Sequence, residues 1–430
     1  MVIIWQLLHA LILLALEFYP YPELVIYPYL RALGWLPYTQ ILDQHFPGLM
    51  FLPLNLNSLR FTDPASLHLL LILVVLVQSV LIYKISRQWV AVAFFSLWQP
   101  FFEGNQLWID TLLPLFTLPA WLFFTKKKWF WAGLFLGLGI VFKQTLIPLV
   151  IFCGLYLIWQ YRRKVMPILL PFTLGAVLPS LLMLIYFAKI GVLHDWWFWT
   201  VQFNLTAYAH GGKLAPTLGQ WLKLSWPIAV LGLAAWRLPK YRLMLGWLGL
   251  SVVGGLARFG FVHLQPAIPY FCIIYSALIL ATWRQSKLLA LGLLAPTALW
   301  VGWFFLHTSW GGVHFYSQAD YQIAHAISSR VQAGDHIFLL GVNPHLYQLT
   351  NTLPTGGVFV FQFPWFLQVA GERVLTGLHA DPPKLIVYDP ASQIDGQYLK
   401  DYASYLVDYT QANYQAVATV GVSIIYEKRD

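Results

Sequence analysis

The stretch that decides the fold is EFYPYPELVIYPYLRALGWLPYTQILDQHFPG, residues 17–48, which directly follows the apolar run MVIIWQLLHALILLAL. It opens a polar and aromatic segment that continues to Asp63. Connections between neighbouring helices are usually short, whereas this one carries three carboxylates, Glu17, Glu23 and Asp43. A long loop that holds acids favours a functional site over a simple connector.

The composition predicts the class of protein. Of the 430 residues, 59% are hydrophobic and 10% are charged, whereas about a quarter of a soluble domain is charged. We therefore expect a polytopic α-helical membrane protein. The first apolar run lacks a basic leader and a small-residue cleavage site, so we interpret it as a retained helix.

Apolar runs of roughly membrane-spanning length recur along the first three quarters of the chain and predict about eleven transmembrane helices. The runs cover residues 1–16, 67–83, 89–102, 107–125, 129–142, 145–160, 166–188, 221–236, 243–257, 264–282 and 288–306.

The charges between these runs predict their orientation. Every second connection is basic and lacks Asp and Glu; these connections hold Lys84, Arg87, Lys126, Lys127, Lys128, Arg162, Arg163, Lys164, Arg237, Lys240, Arg242, Arg284 and Lys287. The positive-inside rule places these connections and the N-terminus on the cytoplasmic side of the membrane. We expect that membrane to be the plasma (inner) membrane. The net charge of +9 is then a signal of topology and of contact with anionic membrane lipid. It gives no support for nucleic-acid binding.

After residue 306 the composition changes. Short apolar runs such as HIFLLG and KLIVYD alternate with amphipathic stretches, a pattern typical of a small α/β domain. We expect two domains: residues 1–306, a transmembrane domain with the large outer loop 17–63, and residues 307–430, a soluble extracytoplasmic domain. An odd number of spans places the second domain outside.

The acids of the outer side are the first candidates for chemistry. Asp43 lies twenty positions after Glu23, so a folded loop brings both to one pocket, where a carboxylate suits proton abstraction. The alternative is that both cap short helices at the interface or meet water. In the next outer loop Glu103 lies at the tip, and Asp110 follows about two helical turns on along the same helix. Each is a candidate site residue or an ordinary interfacial acid.

Basic residues on the outer side are the second group. Lys143 and Gln144 lie where a helix emerges there, and Arg258 and His263 flank a later outer turn. The positive-inside rule does not predict basic side chains on the outer side, so they indicate an anionic partner there, such as a phosphate. The alternative is that they contact lipid headgroups. His194 belongs to a loop, residues 189–220, whose aromatic side chains suit sugars and interfacial anchoring equally.

The order of these motifs resembles a known family. Gly34, Pro37, Tyr38, Asp43, Pro47 and Gly48 form one motif, GxxxxxKQT spans 137–145, and RFxxxHLQPAxP spans 258–269. With the acidic loops and the C-terminal domain, this arrangement is similar to the GT-C glycosyltransferases. The nearest resemblance is to bacterial relatives of the dolichyl-phosphate-mannose protein mannosyltransferases and of the lipid A aminoarabinose transferases.

The resemblance implies a polyprenyl-phosphate-sugar donor that enters from the membrane and an inverting transfer to a glycan, lipid or protein acceptor outside. It makes Glu23 the first candidate for the base, Asp43 the second and Glu17 the third. It also places Lys143, Gln144, Arg258 and His263 on the donor phosphate. The base and these phosphate-binding residues must then converge in one chamber.

The same resemblance extends to supporting residues. Glu103, Asp110, His194 and Tyr38 become candidates for the acceptor side or for support of the site. Some members of the family use a divalent metal and others do not, so a metal is a candidate cofactor, with Glu103 and Asp110 as candidate ligands.

Two other classes of protein remain open. A transporter or flippase for a lipid-linked or small polar substrate explains charged residues within the membrane, although no inverted repeat is visible in the sequence. A structural subunit whose outer domain binds a partner is the third class.

Overall fold

The computed structural model describes residues 1–429, which are mainly helical. The α-helices in chain order are α1 Val2–Ala15, α2 Glu23–Ala32, α3 Gly48–Phe51, α4 Pro64–Ser86, α5 Trp89–Phe101, α6 Ile109–Leu112, α7 Pro114–Thr125, α8 Trp129–Phe142, α9 Ile147–Tyr161, α10 Met166–Lys189, α11 Leu193–Trp197, α12 Phe203–Leu205, α13 Ala207–Gly211, α14 Leu218–Arg237, α15 Arg242–Ser251, α16 Ile268–Gln285, α17 Lys287–His307, α18 Gln318–Ser328, α19 His345–Leu349, α20 Pro364–Ala380, α21 Leu399–Tyr402 and α22 Ser404–Asn413.

Strands are short and concentrate in the C-terminal part. In chain order they are β1 Tyr19–Pro20, β2 Ile41–Leu42, β3 Gln106–Leu107, β4 His336–Leu340, β5 Leu353–Pro354, β6 Phe359–Val360, β7 Leu385–Tyr388, β8 Gln393–Ile394, β9 Gln397–Tyr398, β10 Tyr414–Val420 and β11 Ser423–Lys428.

Each of the eleven apolar runs forms helix. Four helical segments are long and apolar enough to cross a membrane by length and composition: Pro64–Ser86, Gln144–Lys164, Met166–Lys189 and Lys287–His307. Shorter apolar helices cover Val2–Ala15, Trp89–Phe101, Ile109–Thr125 and Trp129–Phe142. The chain therefore has the character of a helical membrane protein, and the full count of eleven spans stays a prediction.

The contacts of the chain define two compact units. The helical unit consists of residues 1–19, 65–184 and 214–312, and the mixed unit consists of residues 20–64, 185–213 and 313–429. The expected domain boundary at residue 306 stays a prediction, but the contacts place most of the loop 17–63 with the C-terminal residues.

In the helical unit, α7 and α8 form an antiparallel hairpin around the turn Lys126–Lys128. Helix α10 crosses α8 at glycines: a Cβ on Gly175 would lie 2.2 Å from the Phe130 carbonyl oxygen, and one on Gly133 would lie 2.0 Å from that of Phe172. Small residues let helix backbones approach this closely, which is a common way for apolar helices to pack.

The mixed unit contains a five-stranded sheet in the order β10-β11-β7-β4-β5. Strand β4 pairs in parallel with β5 on one side and with β7 on the other, and β11 pairs antiparallel with β7. The residues of β7 are fully buried, and four of the five residues of β4 are buried. This pattern is typical of central strands covered on both faces.

Backbone pairing joins the first loop to the C-terminal residues of the mixed unit. Strand β2 pairs in parallel with β6, and the Phe359 N–H donates to the Gln40 carbonyl at 2.7 Å. The Tyr29 hydroxyl donates to the Thr352 carbonyl at 3.1 Å. These contacts agree with the grouping of both sets of residues in one compact unit.

Candidate functional site

A buried charged cluster lies at one end of the α7–α8 hairpin in the helical unit. Asp110, at the start of α6, accepts hydrogen bonds at Oδ2 from the Lys143 ammonium and from His263 Nδ1, the latter at 2.7 Å. Lys143 follows the last residue of α8, and its Nζ lies 3.4 Å from His263 Nδ1. Asp110 and Lys143 are both buried. Charged groups at such positions are costly to bury, so a cluster of them marks a candidate site.

A short 3₁₀ turn, Phe261–Leu264, carries His263 and is fixed by the preceding outer loop. Glu103 accepts from the Val262 N–H at 3.0 Å, and Gln265 donates to the Phe102 carbonyl at 2.6 Å. Burial raises the pKa of Glu103, although the Val262 N–H and the charge of Lys223 oppose this shift. The loops that carry Glu103, Asp110 and His263 therefore converge in this unit.

One detail of that loop differs from the sequence prediction. Glu103 and Asp110 do not share a helix, because α5 ends at Phe101, Glu103 has a positive φ of 60° and the strand β3 intervenes before α6. The bend brings both carboxylates to the same 3₁₀ turn, which a continuous helix would not do.

The other candidates of the helical unit lie on neighbouring segments. Gln144 begins the 3₁₀ turn that follows Lys143. Arg258 lies on the segment that leads to His263 and pairs through its backbone with Leu214. Glu17 follows α1 and accepts from the Tyr19 hydroxyl at 3.1 Å.

The mixed unit holds a second polar cluster, around Asp43, which is 1% exposed. Its Oδ1 accepts from the His45 backbone N–H at 2.6 Å and from His45 Nδ1 at 2.9 Å, and its Oδ2 accepts from the Tyr27 hydroxyl at 2.6 Å. The His45 side chain is 19% exposed, so it is the member of the pair nearer to solvent. The carboxylate fixes which imidazole nitrogen carries the proton.

Tyr38 supports this pair, whereas His194 lies apart from it. Tyr38 is fully buried and donates to the His45 carbonyl at 2.9 Å, so it holds the turn that carries the imidazole. The His194 side chain is 94% exposed and lies 3.6 Å from its neighbour Asp195. Asp195 in turn accepts from the Thr39 hydroxyl at 2.5 Å.

Glu23 is the first residue of α2, one turn before Tyr27 on the same helix face. It is 8% exposed, and its Oε2 has no hydrogen-bond partner among residues 1–429. Burial raises the pKa of Glu23 to about 7; the nearby Asp43 contributes in the same direction, while its own backbone N–H and His45 oppose the shift. Glu23 and Asp43 therefore interact within one unit.

Glu23 lines a cavity of about 380 Å³ in the mixed unit. The wall includes Gly341 and Asn343, which follow β4, and Ser392, which follows β7. Gly341 has a φ of +72°, and a Cβ there would lie 2.7 Å from the Ser392 Cβ, so this corner requires glycine.

The predicted metal ligands Glu103 and Asp110 contact hydrogen-bond donors, and a metal at these acids stays a prediction. Within residues 1–429 no group of three or more His, Cys, Asp or Glu side chains is arranged to hold an ion. The two candidate ligands meet hydrogen-bond donors instead: Asp110 faces an ammonium and an imidazole, and Glu103 faces a backbone N–H. An ammonium beside the carboxylate suits an anionic ligand better than a cation.

The predicted residues thus fall into two groups. Asp110, Lys143 and His263 are brought together in the helical unit, and Glu23, Asp43 and Tyr38 are brought together in the mixed unit. The sequence analysis missed His45 and Tyr27. The spacing Asp-x-His was the available signal for His45, because an aspartate commonly accepts from the backbone two residues on.

No protein-family model matches the chain, and no curated protein is significantly similar to it. What the chain does is therefore inferred from its own side chains.

Proposed function

We propose that the chain is a membrane glycosyltransferase that moves a sugar from a polyprenyl-phosphate donor to an acceptor on the extracytoplasmic face, with inversion at the anomeric carbon. The observation that carries this proposal is the buried cluster of Asp110, Lys143 and His263 in the unit that contains most of the apolar helices. A lipid-linked phosphate is the anion that reaches such a place from the membrane.

The cluster suits a departing phosphate. An ammonium has three N–H donors, so the contact with one oxygen of Asp110 leaves Lys143 with donors for phosphate oxygens. Asp110 positions the Lys143 ammonium and the His263 ring. When the bond from the anomeric carbon to the phosphate breaks, the negative charge on the phosphate grows. Lys143 and His263, with Arg258 from the segment before the His263 turn, stabilise that charge.

The carboxylate that takes the proton of the acceptor hydroxyl is one of the sequence candidates Glu23, Asp43 and Glu17, and the test below identifies it. Glu23, the first choice from the sequence, lies in a largely apolar cavity that no Lys or Arg among residues 1–429 lines, and Glu17 accepts a hydrogen bond from Tyr19. Both remain in the test below.

The test measures release of polyprenyl phosphate and labelled product from a radiolabelled polyprenyl-phosphate sugar, in membranes that contain the chain and their own acceptors. Removal of Lys143 alone leaves the buried Asp110 carboxylate without its ammonium partner, so the informative variant is Asp110→Asn with Lys143→Gln, which removes both charges. We expect this folded double variant to lose transfer by about 100-fold. The control is Lys126→Gln, at the opposite end of the α7–α8 hairpin, which keeps transfer.

A structural ion pair predicts the opposite result, full transfer by the double variant. The variants Glu23→Gln, Asp43→Asn and Glu17→Gln identify the base, which is the carboxylate whose variant loses the most kcat. A flippase would move the labelled donor across the membrane without release of polyprenyl phosphate. That outcome would remove the transferase proposal.

A further inference from the structure

The cavity of the mixed unit lies where an open parallel sheet forms a binding crevice. From β4 the chain continues to β5 on one side, and from β7 it continues to β10 and β11 on the other side. The connections diverge after these two neighbouring strands, and ligands of such sheets bind beyond the carboxyl ends at that point. Gly341 and Asn343 after β4, and Ser392 after β7, all line the cavity.

The polar side chains Gln362 and Asn343 of the cavity wall already form hydrogen bonds with other groups of the protein. The Gln362 side chain accepts from the Gly341 N–H at 2.7 Å and donates to the Leu339 carbonyl at 2.6 Å. The Asn343 oxygen accepts from His345 Nδ1 at 2.7 Å, and its amide donates to the Phe315 carbonyl at 2.6 Å. Glu23 is different, because its buried Oε2 has no partner among residues 1–429.

The remainder of the wall is aromatic and apolar. Rings come from several segments of the unit, including Tyr21, Phe338, Phe361, Phe363 and Tyr402, and no Lys or Arg of residues 1–429 lines the cavity. An anionic ligand would meet a carboxyl and no cation. A sugar would bury several hydroxyls against one acceptor, which leaves polar groups unpaired. An organic cation with an apolar body matches both the carboxylate and the aromatic faces.

We propose that this cavity binds a small organic ammonium ion, with Glu23 as the carboxylate that pairs with the nitrogen and the aromatic side chains around its apolar body. The proposal concerns the mixed unit alone and stands whether or not the chain transfers a sugar.

The groups that face Glu23 make the binding dependent on pH. These are Asp43 and His45 from the first loop, together with Tyr27 and the backbone N–H of Glu23 on α2. Since burial raises the pKa of Glu23 to about 7, the carboxyl is largely ionised at pH 8 and largely protonated at pH 6. An ammonium with a pKa near that of lysine stays charged at both values. The ionised fraction of Glu23 changes by about tenfold between them.

Three probes of similar shape test the proposal: benzylammonium, benzyl alcohol and benzoate. Binding to the purified full chain in lipid nanodiscs is measured by calorimetry, with empty nanodiscs as the blank. We expect benzylammonium to bind at least about tenfold more tightly than benzyl alcohol at pH 8, benzoate to bind weakest, and the dissociation constant of benzylammonium to rise about tenfold at pH 6.

The variant Glu23→Gln should bind benzylammonium and benzyl alcohol equally, whereas Glu372→Gln, an exposed carboxylate outside this cavity, should keep the preference. The pH dependence of the unmodified chain gives a readout that needs no variant to fold. Equal binding of the ammonium and the alcohol to that chain, absence of binding by all three probes, or a preference that survives Glu23→Gln would each overturn the proposal.

Discussion

Glu23 and Asp43 come from one loop, yet their carboxyls meet different surroundings. Asp43 accepts three hydrogen bonds, from Tyr27 and from two groups of His45. Glu23 is buried against apolar side chains and has an oxygen without a partner, so burial raises its pKa and favours its neutral form. One loop thus supplies a carboxyl held by several donors and a carboxyl with an unpartnered oxygen.

This difference predicts how stability changes with pH. Burial raises the pKa of Glu23 from 4.5 to about 7, so the folded chain holds this proton more tightly than the unfolded chain. The contribution of Glu23 to the free energy of unfolding therefore falls as the pH rises from about 4.5 to about 7. At pH 8 the Glu23→Gln variant should be more stable than the unmodified chain by up to roughly 3 kcal/mol, and at pH 5 this difference should shrink to less than about 1 kcal/mol.

Thermal unfolding of both proteins in the same detergent at pH 5 and pH 8 measures this effect. The exposed Glu372→Gln variant serves as the control and should follow the unmodified chain at both values. If Glu23→Gln is instead the less stable protein at pH 8, the carboxylate is ionised and stabilised in the fold, and the assignment of an unpaired buried acid is wrong.

At the residue scale the sequence indicated the acids but not their partners. Asp43 was visible because a carboxylate in an aromatic outer loop is unusual. The roles of His45 and Tyr27 depend on a turn that directs one imidazole nitrogen at Asp43 and on a helix that presents Tyr27 beside Glu23. Neither the turn nor the helix register follows from residue types alone.

At the scale of elements, the close contact of α8 and α10 depends on glycine. A Cβ on Gly175 would lie 2.2 Å from the Phe130 carbonyl oxygen, which is backbone and cannot move away cheaply. We expect Gly175→Ala to destabilise the chain by about 1 to 3 kcal/mol through overpacking. Gly232, inside α14, has open space at its Cβ, so Gly232→Ala should be neutral or slightly stabilising.

The unfolding temperature in detergent compares these two matched substitutions. A lower unfolding temperature in both variants would mean that these helices need glycine for a reason other than the close contact between α8 and α10. An unchanged Gly175→Ala variant would mean that α8 and α10 do not pack as closely as the structure places them.

Hydropathy was sufficient to locate the helices but not the breaks between them. All eleven apolar runs are helical because a long apolar segment satisfies its backbone groups within itself. The bend from Glu103 to Asp110 was missed, since it depends on a two-residue strand and on hydrogen bonds to the turn Phe261–Leu264, which is distant in sequence. The pairing of β2 with β6 was missed for the same reason.

At the scale of the whole molecule, the charges predict which side of the membrane each connection occupies. Both native cysteines, Cys153 and Cys272, are buried, so a single introduced cysteine reports its own exposure to a maleimide that cannot cross membranes. We expect Ser309→Cys and Lys400→Cys to be labelled on intact cells. We expect Lys126→Cys, on a basic connection, to be labelled after lysis and not before.

The result at Lys126 also fixes the side of the charged cluster. Asp110 and Lys143 contact each other at the end of the α7–α8 hairpin that is opposite to Lys126, so the membrane separates them from Lys126 if the hairpin spans it. Labelling of Lys126→Cys on intact cells would place Lys143 and His263 toward the cytoplasm. An extracytoplasmic transfer that uses this cluster for the donor phosphate would then be excluded, whereas the ammonium cavity of the mixed unit would be unaffected.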